Sequence, residues 1–322
     1  LVAWAAQLFV QLPSLKKKGF KYRLTFNFCD KGIKEAALLA LPVLISSWIQ
    51  PICAVINMAF GSSLGDGAVS GLNWANKIYI IMVGVFAYAI TNFIFPKLSR
   101  MNAGDNEKGF AETTQTSIGF AVYIITYIAA MFIALSVPII KVVFEHGEFT
   151  ADDTVLTASA LLYYSLGMVA YAICEVLNKS FYAIQDGKTP MYSSIVGIAV
   201  NFIAAYLLVG VLKMGVGGLA LSGAMSSVAI ALVLLVMINK RRGRVITLEF
   251  VINMLKTFAC GVLASLTAWF IYKLTANMFE SGIIITFVKL CIAALPALIV
   301  YILAGFVLKV KEFKQICGFF KR

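Results

Sequence analysis

The stretch that decides the fold is NWANKIYIIMVGVFAYAITNFIF, residues 73–95, in which the ammonium group of Lys77 precedes a long apolar run. A helix needs about 20 residues, at about 1.5 Å each, to cross a bilayer, so this stretch is long enough. A charged group in that setting costs on the order of 3 kcal/mol unless it reaches water or headgroups. Two interpretations of Lys77 are therefore open: it faces a polar cavity and meets an anionic substrate there, or it extends to the outer headgroups.

The composition is that of a membrane protein with many spans. Of the 322 residues, 61% are hydrophobic and 13% are charged, whereas a soluble protein has about 25% charged residues. The net charge of +12 falls in short loops, a pattern typical of cytoplasmic loops beside an anionic leaflet rather than of a nucleic-acid-binding face. The six cysteines form no CxxC motif and there is a single histidine, so we expect no metal site and no cofactor.

Apolar runs predict an all-α polytopic protein with one truncated span, Leu1 to Leu12, and eight complete transmembrane helices. The complete spans cover residues 36–60, 78–95, 117–140, 155–184, 191–212, 215–239, 249–274 and 282–308. Pro51 should kink the first of these helices, and Pro96 should end the second. Because the chain opens inside an apolar run and without a methionine, we expect it to be the C-terminal part of a longer protein.

Charge alternates between successive loops. One set of loops, together with the tail Lys309 to Arg322, holds 20 of the 27 lysines and arginines. The opposite set holds the acidic connection Glu145 to Asp153. By the positive-inside rule the basic set is cytoplasmic, and the C-terminus lies inside with it. The tail is mildly amphipathic and is expected to lie on the membrane surface.

Five polar side chains interrupt two of the spans. Gln50 and Asn57 lie seven residues apart and share a helix face, where they line a cavity or hydrogen-bond to a neighbouring helix. Glu175 and Lys179 are four apart in the order that favours a helical ion pair, with Asn178 beside them. We favour a structural role for this pair, the alternative being a substrate or ion path.

Local signals mark a helix start, a close helix contact and a second class of function. Thr150 or Asp152 is expected to cap the helix after the acidic connection. Small residues spaced four apart in Gly215 to Ala224 predict close helix packing, not a nucleotide-binding loop.

A membrane enzyme, such as a lipid-linked glycosyltransferase, would need clustered acids, and the acidic connection supplies four. Those acids lie on the predicted outer side, which disfavours an enzyme.

Several short motifs follow one another along the chain. They are Asn73-Trp74-Ala75-Asn76-Lys77, Phe95-Pro96-Lys97-Leu98-Ser99-Arg100, His146-Gly147-Glu148-Phe149-Thr150, Tyr164-Ser165-Leu166-Gly167, Lys188-Thr189-Pro190 and Gly217-Gly218-Leu219-Ala220. In this order they resemble motifs of the MurJ (MviN) family of lipid II flippases, in the MOP exporter superfamily. Any one motif is weak, whereas the ordered set is specific and covers most of residues 36–240.

The resemblance implies a MOP/MATE-like architecture of two six-helix lobes and a final helix pair, which in the family is thought to line a groove for the polyprenyl tail. The chain then divides into four parts. Residues 1–35 are the end of the last N-lobe helix and a basic loop, and residues 36–240 are the C-lobe. Residues 241–308 are the extra helix pair and residues 309–322 the basic tail, with the N-lobe missing.

The resemblance also implies that the protein flips lipid II across the bacterial cytoplasmic membrane by alternating access, and that it is not an enzyme. Lys77 stands where the family usually has a functional arginine. The expected substrate-binding residues are Lys77, Asn76, Ser70, Trp74 and Gln50. The expected partners are lipid II or a similar polyprenyl-diphosphate glycolipid, membrane lipids and the missing N-lobe, and no nucleic acid.

We expect the polar lining of the cavity, or of an ion path, to consist of Asn57, Glu175, Asn178 and Lys179. Asn57 replaces an acid that some relatives use for sodium, so coupling to a monovalent cation or to the membrane potential is left open.

The alternative substrates are another polyprenyl-linked polysaccharide, or a drug exchanged for a cation. A drug antiporter would need carboxylates within the membrane, and Glu175 alone qualifies in this lobe. A structural role for a naturally short chain is the third reading.

Overall fold

A computed structural model describes residues 31–243, 245–276 and 282–313, with a few positions between 9 and 19. The α-helices in these ranges are α1 (Lys31–Ser47), α2 (Ile49–Gly61), α3 (Ala68–Ala103), α4 (Glu107–Phe144), α5 (Ala151–Ala183), α6 (Lys188–Ala205), α7 (Gly215–Arg241), α8 (Leu248–Ala276) and α9 (Ile283–Val307). A 3₁₀ turn follows α2, and a π-helical segment extends α6. The chain forms two compact units, Leu1–Ala40 and Leu41–Arg322.

Within the described ranges, eight helical segments are long and apolar enough to cross a membrane. The first, Ala40–Leu64, combines the end of α1 with α2 and the 3₁₀ turn, and α3 to α9 supply the other seven. The predicted all-α fold with eight complete spans is confirmed. Most of the expected truncated span Leu1 to Leu12, and residues 314–322 of the tail, lie outside the described residues.

The kink predicted from Pro51 is present. Helix α1 ends at Ser47 and α2 begins at Ile49, so the helix breaks three to four residues before the proline. The proline ring clashes with the carbonyl four residues earlier, which is that of Ser47, and this clash places the break.

Helix α3 is longer than predicted at both ends. It begins at Ala68, after Gly67 with its left-handed φ of +80°, and continues through Pro96 to Ala103. The expectation that Pro96 ends the helix is wrong, because membrane helices tolerate proline where other groups satisfy the freed carbonyl. Lys77 therefore lies nine residues beyond the first residue of the helix, well inside it.

The centre of the bundle is formed by α4 and α5, whose membrane segments are 67% and 72% buried. Helix α5 packs against α3, α4 and α7. A Cβ atom built on Gly167 of α5 would lie 2.6 Å from the Cα atom of Ala224 in α7, so the two backbones approach closely there. The close packing predicted from the small residues of α7 is confirmed at this contact.

Helices α8 and α9 pack against each other and against α4. The hydroxyl of Tyr301 donates a hydrogen bond of 2.6 Å to the carbonyl of Tyr123, and the hydroxyl of Tyr127 donates one of 3.0 Å to the carbonyl of Ala294. Hydrogen bonds as well as apolar packing therefore hold the final helix pair on α4.

Polar contacts fix two helix starts. Thr150 caps α5 in a reciprocal capping box with Asp153, so of the two candidate caps the structure selects Thr150. On the opposite side of the bundle, the carboxylate of Asp186 accepts the main-chain N–H groups of Lys188 and Thr189 at the start of α6, both at 3.1 Å. It also pairs with Arg241 at 2.9 Å, which ties α6 to the end of α7.

Candidate functional site

A polar cavity of about 320 Å³ lies inside the second compact unit. Its walls come from the end of α1 and from α2, α3, α5, α6 and α7, and they carry amide, serine and tyrosine side chains. Polar groups among membrane helices are costly unless they are paired or face water, so a cavity lined in this way is a candidate substrate or ion site.

Six of the nine site residues predicted from sequence line this cavity: Gln50, Asn57, Asn76, Glu175, Asn178 and Lys179. Gln50 and Asn57 line the cavity, one of the two roles open to them, and the side chain of Asn57 also contacts Tyr164 of α5. Asn57 is only 6% exposed, and its Oδ1 atom has no hydrogen-bond partner. An unused acceptor therefore sits in the cavity wall.

Glu175 and Lys179 both line the cavity, and both are half-buried. The part of the chain that the structure describes has four ion pairs with an N–O distance within 4 Å. They join Lys141 to Glu145, Arg241 to Asp186, Arg242 to Glu107 and Lys311 to Glu249. Glu175 and Lys179 do not form such a direct pair. Although the spacing favours an ion pair, the carboxylate of Glu175 and the ammonium of Lys179 lie apart in the cavity wall.

Lys77, Ser70 and Trp74 lie outside the cavity. The side chain of Lys77 is exposed, and its Nζ atom lies 4.0 Å from the centroid of the Trp74 ring, in a cation–π contact. Lys77 lines a shallow groove with Asn73 and Asn76. Successive residues of a helix point about 100° apart, so neighbouring side chains face different surroundings. Asn76 lines both the cavity and the groove, whereas Lys77 lines the groove. The binding role of Lys77 stays a prediction.

Tyrosines are the part of the site that the sequence reasoning missed. The ring of Tyr79 in α3 packs on Tyr164 and Tyr171 in α5, with centroids 5.3 and 5.6 Å apart. Tyr88 and Tyr182 also line the cavity. The signal was present in α5, where tyrosines 164, 171 and 182 fall seven and eleven residues apart and so share the face that carries Glu175.

The described residues include no group of three or more His, Cys, Asp or Glu side chains placed to hold a metal ion. The cavity wall instead offers neutral oxygens, such as that of Asn57, beside one carboxylate. Such a wall suits hydrogen bonding to a polar ligand.

Helices of membrane length around a polar cavity define the class: this is a polytopic membrane protein of the transporter type. The chain belongs to the MurJ family of lipid II flippases, since a sequence profile described as "Lipid II flippase MurJ" matches residues 1–308. The family predicted from the motifs is confirmed, and with it a multi-pass protein of the inner membrane.

Curated relatives agree with this assignment, and solved structures share the fold. The chain is 32% identical over 241 residues to the probable lipid II flippase MurJ of Rhizobium tropici, covering 75% of this chain and 45% of that protein. A structure of lipid II flippase MurJ in an inward closed conformation matches with a TM-score of 0.68 at 24% identity, over 96% of this chain and 59% of that one.

An outward-facing multidrug resistance MATE family transporter of the MOP superfamily matches with a TM-score of 0.52 at 16% identity, over 86% of this chain and 66% of that one. These structural likenesses show a shared fold. The chain spans about half the length of the curated relatives that it matches.

Proposed function

We propose that the protein carrying this chain moves lipid II, a polyprenyl-diphosphate glycolipid, across the cytoplasmic membrane for cell-wall synthesis. The observation that carries the proposal is the match to the MurJ family over residues 1–308. The polar cavity supports it, because a headgroup rich in hydroxyl and amide groups cannot enter hydrocarbon without partners for its hydrogen bonds. Transport of this kind requires no covalent chemistry.

The movement follows alternating access, in which a polar path opens to one side of the membrane at a time. The ammonium of Lys77, steadied by the Trp74 ring, attracts the diphosphate as a point charge, whereas an arginine would hold it with two parallel hydrogen bonds. Direction comes from different affinities of the two states for the substrate, with the membrane potential or a monovalent cation as the driving force.

The orientation follows from the charge of the loops. The connections that hold Lys108 and Lys188 face the cytoplasm together with the C-terminus, and the turn at Ser63 faces outward. Labelling with a membrane-impermeant maleimide tests this orientation, in a variant whose other accessible cysteines are replaced. Ser63→Cys should react in intact cells and Lys108→Cys only after permeabilisation. The reverse pattern would invert the topology.

Genetic complementation tests the function. A strain depleted of its own lipid II flippase should regain growth and cell-wall synthesis when it expresses the protein carrying this chain. A strain lacking an exporter of another polyprenyl-linked polysaccharide serves as the matched control and should not be rescued. Rescue of the control strain alone would replace lipid II with that polysaccharide as the substrate.

A further inference from the structure

Helix α9 ends in a Schellman motif, which turns the chain back onto the bundle. The main-chain N–H of Val310 donates to the carbonyl of Gly305 at 2.9 Å, and that of Lys309 donates to the carbonyl of Phe306 at 3.1 Å. Lys309 adopts the left-handed φ of +55° that this motif requires. Val310 is 0% exposed and Glu312 is 6% exposed. The chain therefore stays packed against the bundle after α9 has ended.

The buried side chain of Asn253, in α8, holds this segment at two points. Its Nδ2 atom donates a hydrogen bond to the carboxylate of Glu312, and its Oδ1 atom accepts one of 3.0 Å from the main-chain N–H of Lys311. The Nζ atom of Lys311 also lies 2.8 Å from the carboxylate of Glu249, at the start of α8, but both of these side chains are exposed. Because an exposed ion pair contributes little, the amide of Asn253 is the specific contact.

A glycine of α4 makes room for the carboxylate of Glu312. A Cβ atom built on Gly119 would overlap the Oε1 atom of Glu312 and lie 3.0 Å from its Cδ atom. A larger residue at this position would therefore push Glu312 away from Asn253. The four ion pairs of the described residues do not include Glu312. A buried carboxylate is costly unless donors meet its oxygens, so the seat formed by Gly119 and Asn253 fixes its position.

The start of α8 is fixed on α4 one turn away from this seat. The Nε2 atom of Gln115 donates a hydrogen bond of 3.1 Å to the hydroxyl of Thr247. The same hydroxyl caps α8 by accepting the main-chain N–H of Phe250 at 3.2 Å. Gln115 and Gly119 lie four residues apart and so share one face of α4. The start of α8 and the segment after α9 are therefore both anchored on α4 at the same end of the bundle.

We propose that residues 308–313 form a latch that makes α8 and α9 move as one body with the bundle centred on α4 and α5. The inference rests on the proposed transport, because alternating access moves groups of helices as rigid bodies. Lipid tails are as apolar as the helix surfaces, so apolar contacts alone do not hold a helix pair in one place within a membrane. The carboxylate of Glu312, with a single seat between α4 and α8, removes that freedom at the end of the pair.

The rate at which a maleimide reacts with a buried cysteine measures opening of the latch, in protein held in lipid nanodiscs whose other accessible cysteines are replaced. Val310→Cys should react at least about tenfold more slowly than the exposed Lys309→Cys. Gly119→Ala should speed the reaction at position 310 at least about tenfold, because Glu312 loses its seat. Gly210→Ala is the matched control and should leave this rate unchanged, since its Cβ atom would lie 3.7 Å from the nearest atom. Equal rates at positions 309 and 310, or no effect of Gly119→Ala, would overturn the latch.

Exchanging the two polar groups tests the contact between Asn253 and Glu312 itself. Asn253→Asp keeps an acceptor for the N–H of Lys311 but places a second carboxylate against Glu312, so it should speed the reaction at position 310 at least about tenfold. Adding Glu312→Gln lets the new amide donate to the new carboxylate and should restore the slow reaction. A fold damaged elsewhere would not be repaired by the second substitution. A reaction that stays fast in the double variant would overturn the assigned contact.

Flipping of lipid II in vesicles tests whether the latch serves transport. Gly119→Ala and Asn253→Asp should each slow flipping at least about threefold, and adding Glu312→Gln to Asn253→Asp should restore the rate. Gly210→Ala should leave the rate unchanged. Unchanged flipping in a variant whose latch is open would overturn the inference and leave the proposed function standing. A protein whose position 310 is protected as expected, but which flips no lipid II, would support the latch and contradict the function.

Discussion

Replacing Gly167 with alanine tests how closely α5 and α7 must approach. A Cβ atom at this position would lie 2.6 Å from the Cα atom and 2.8 Å from the Cβ atom of Ala224. Both are backbone or near-backbone atoms that cannot rotate away, so the helices themselves must separate. The contact lies beside the cavity, with Tyr164 three residues before Gly167 and Ser227 three residues after Ala224.

The expected cost follows from two opposing effects. Overpacking a tight contact costs about 1–3 kcal/mol, and alanine is favoured over glycine within a helix by about 0.5–1 kcal/mol. Gly167→Ala should therefore lower the free energy of unfolding by about 0.5–2 kcal/mol. The measurement is the unfolding midpoint in mixed detergent micelles, read by circular dichroism.

Gly210→Ala is the matched control, because its new Cβ atom would lie 3.7 Å from the nearest atom, on the side chain of Tyr206. With ordinary van der Waals contact only, this variant should be neutral or slightly stabilised by helix propensity. Equal midpoints for Gly167→Ala and Gly210→Ala would refute the close approach of α5 and α7.

Three further substitutions test single polar contacts by the same assay. Tyr301→Phe removes the 2.6 Å hydrogen bond to the carbonyl of Tyr123 and should cost about 0.5–1.5 kcal/mol. Asp186→Asn removes the charge that pairs with Arg241 and weakens the cap of α6; it should cost about 1–2 kcal/mol, with part of the loss disappearing at high salt. Thr150→Ala removes the cap of α5 and should cost about 0.5–2 kcal/mol.

Each of these variants has a control of the same chemistry. Tyr192→Phe changes a side chain that is 60% exposed, and Asp66→Asn changes an exposed carboxylate. Thr267→Ala removes a hydroxyl that donates within its own helix instead of capping it. Equal effects of a variant and its control would show that the contact in question contributes nothing to stability.

The spans were predictable because the bilayer imposes them. A membrane helix must carry about 20 mostly apolar residues, and these runs are visible without knowledge of packing. The break before Pro51 was predictable for a similar reason, since proline acts on its own helix. The start of α3 was not, because the polar residues between Ala68 and Lys77 extend the helix beyond its apolar run.

The direction of each polar side chain was only partly predictable. Sequence spacing places Gln50 and Asn57 on one face, but the rotation of that face towards a cavity depends on how neighbouring helices pack. The same limit explains why Lys77 was expected in the cavity while its neighbour Asn76 lines it.

The central claim is that polar side chains persist among these apolar helices because they bind the headgroup of the transported lipid. The most direct test is the rate at which labelled lipid II crosses the membrane of vesicles that contain the protein. Lys77→Ala should slow the crossing roughly ten- to hundredfold, as expected for losing one charge-assisted contact to phosphate, and Lys77→Arg should restore most of the rate. An unchanged rate for Lys77→Ala, at equal amounts of folded protein, would contradict the binding of the phosphate-bearing headgroup by Lys77.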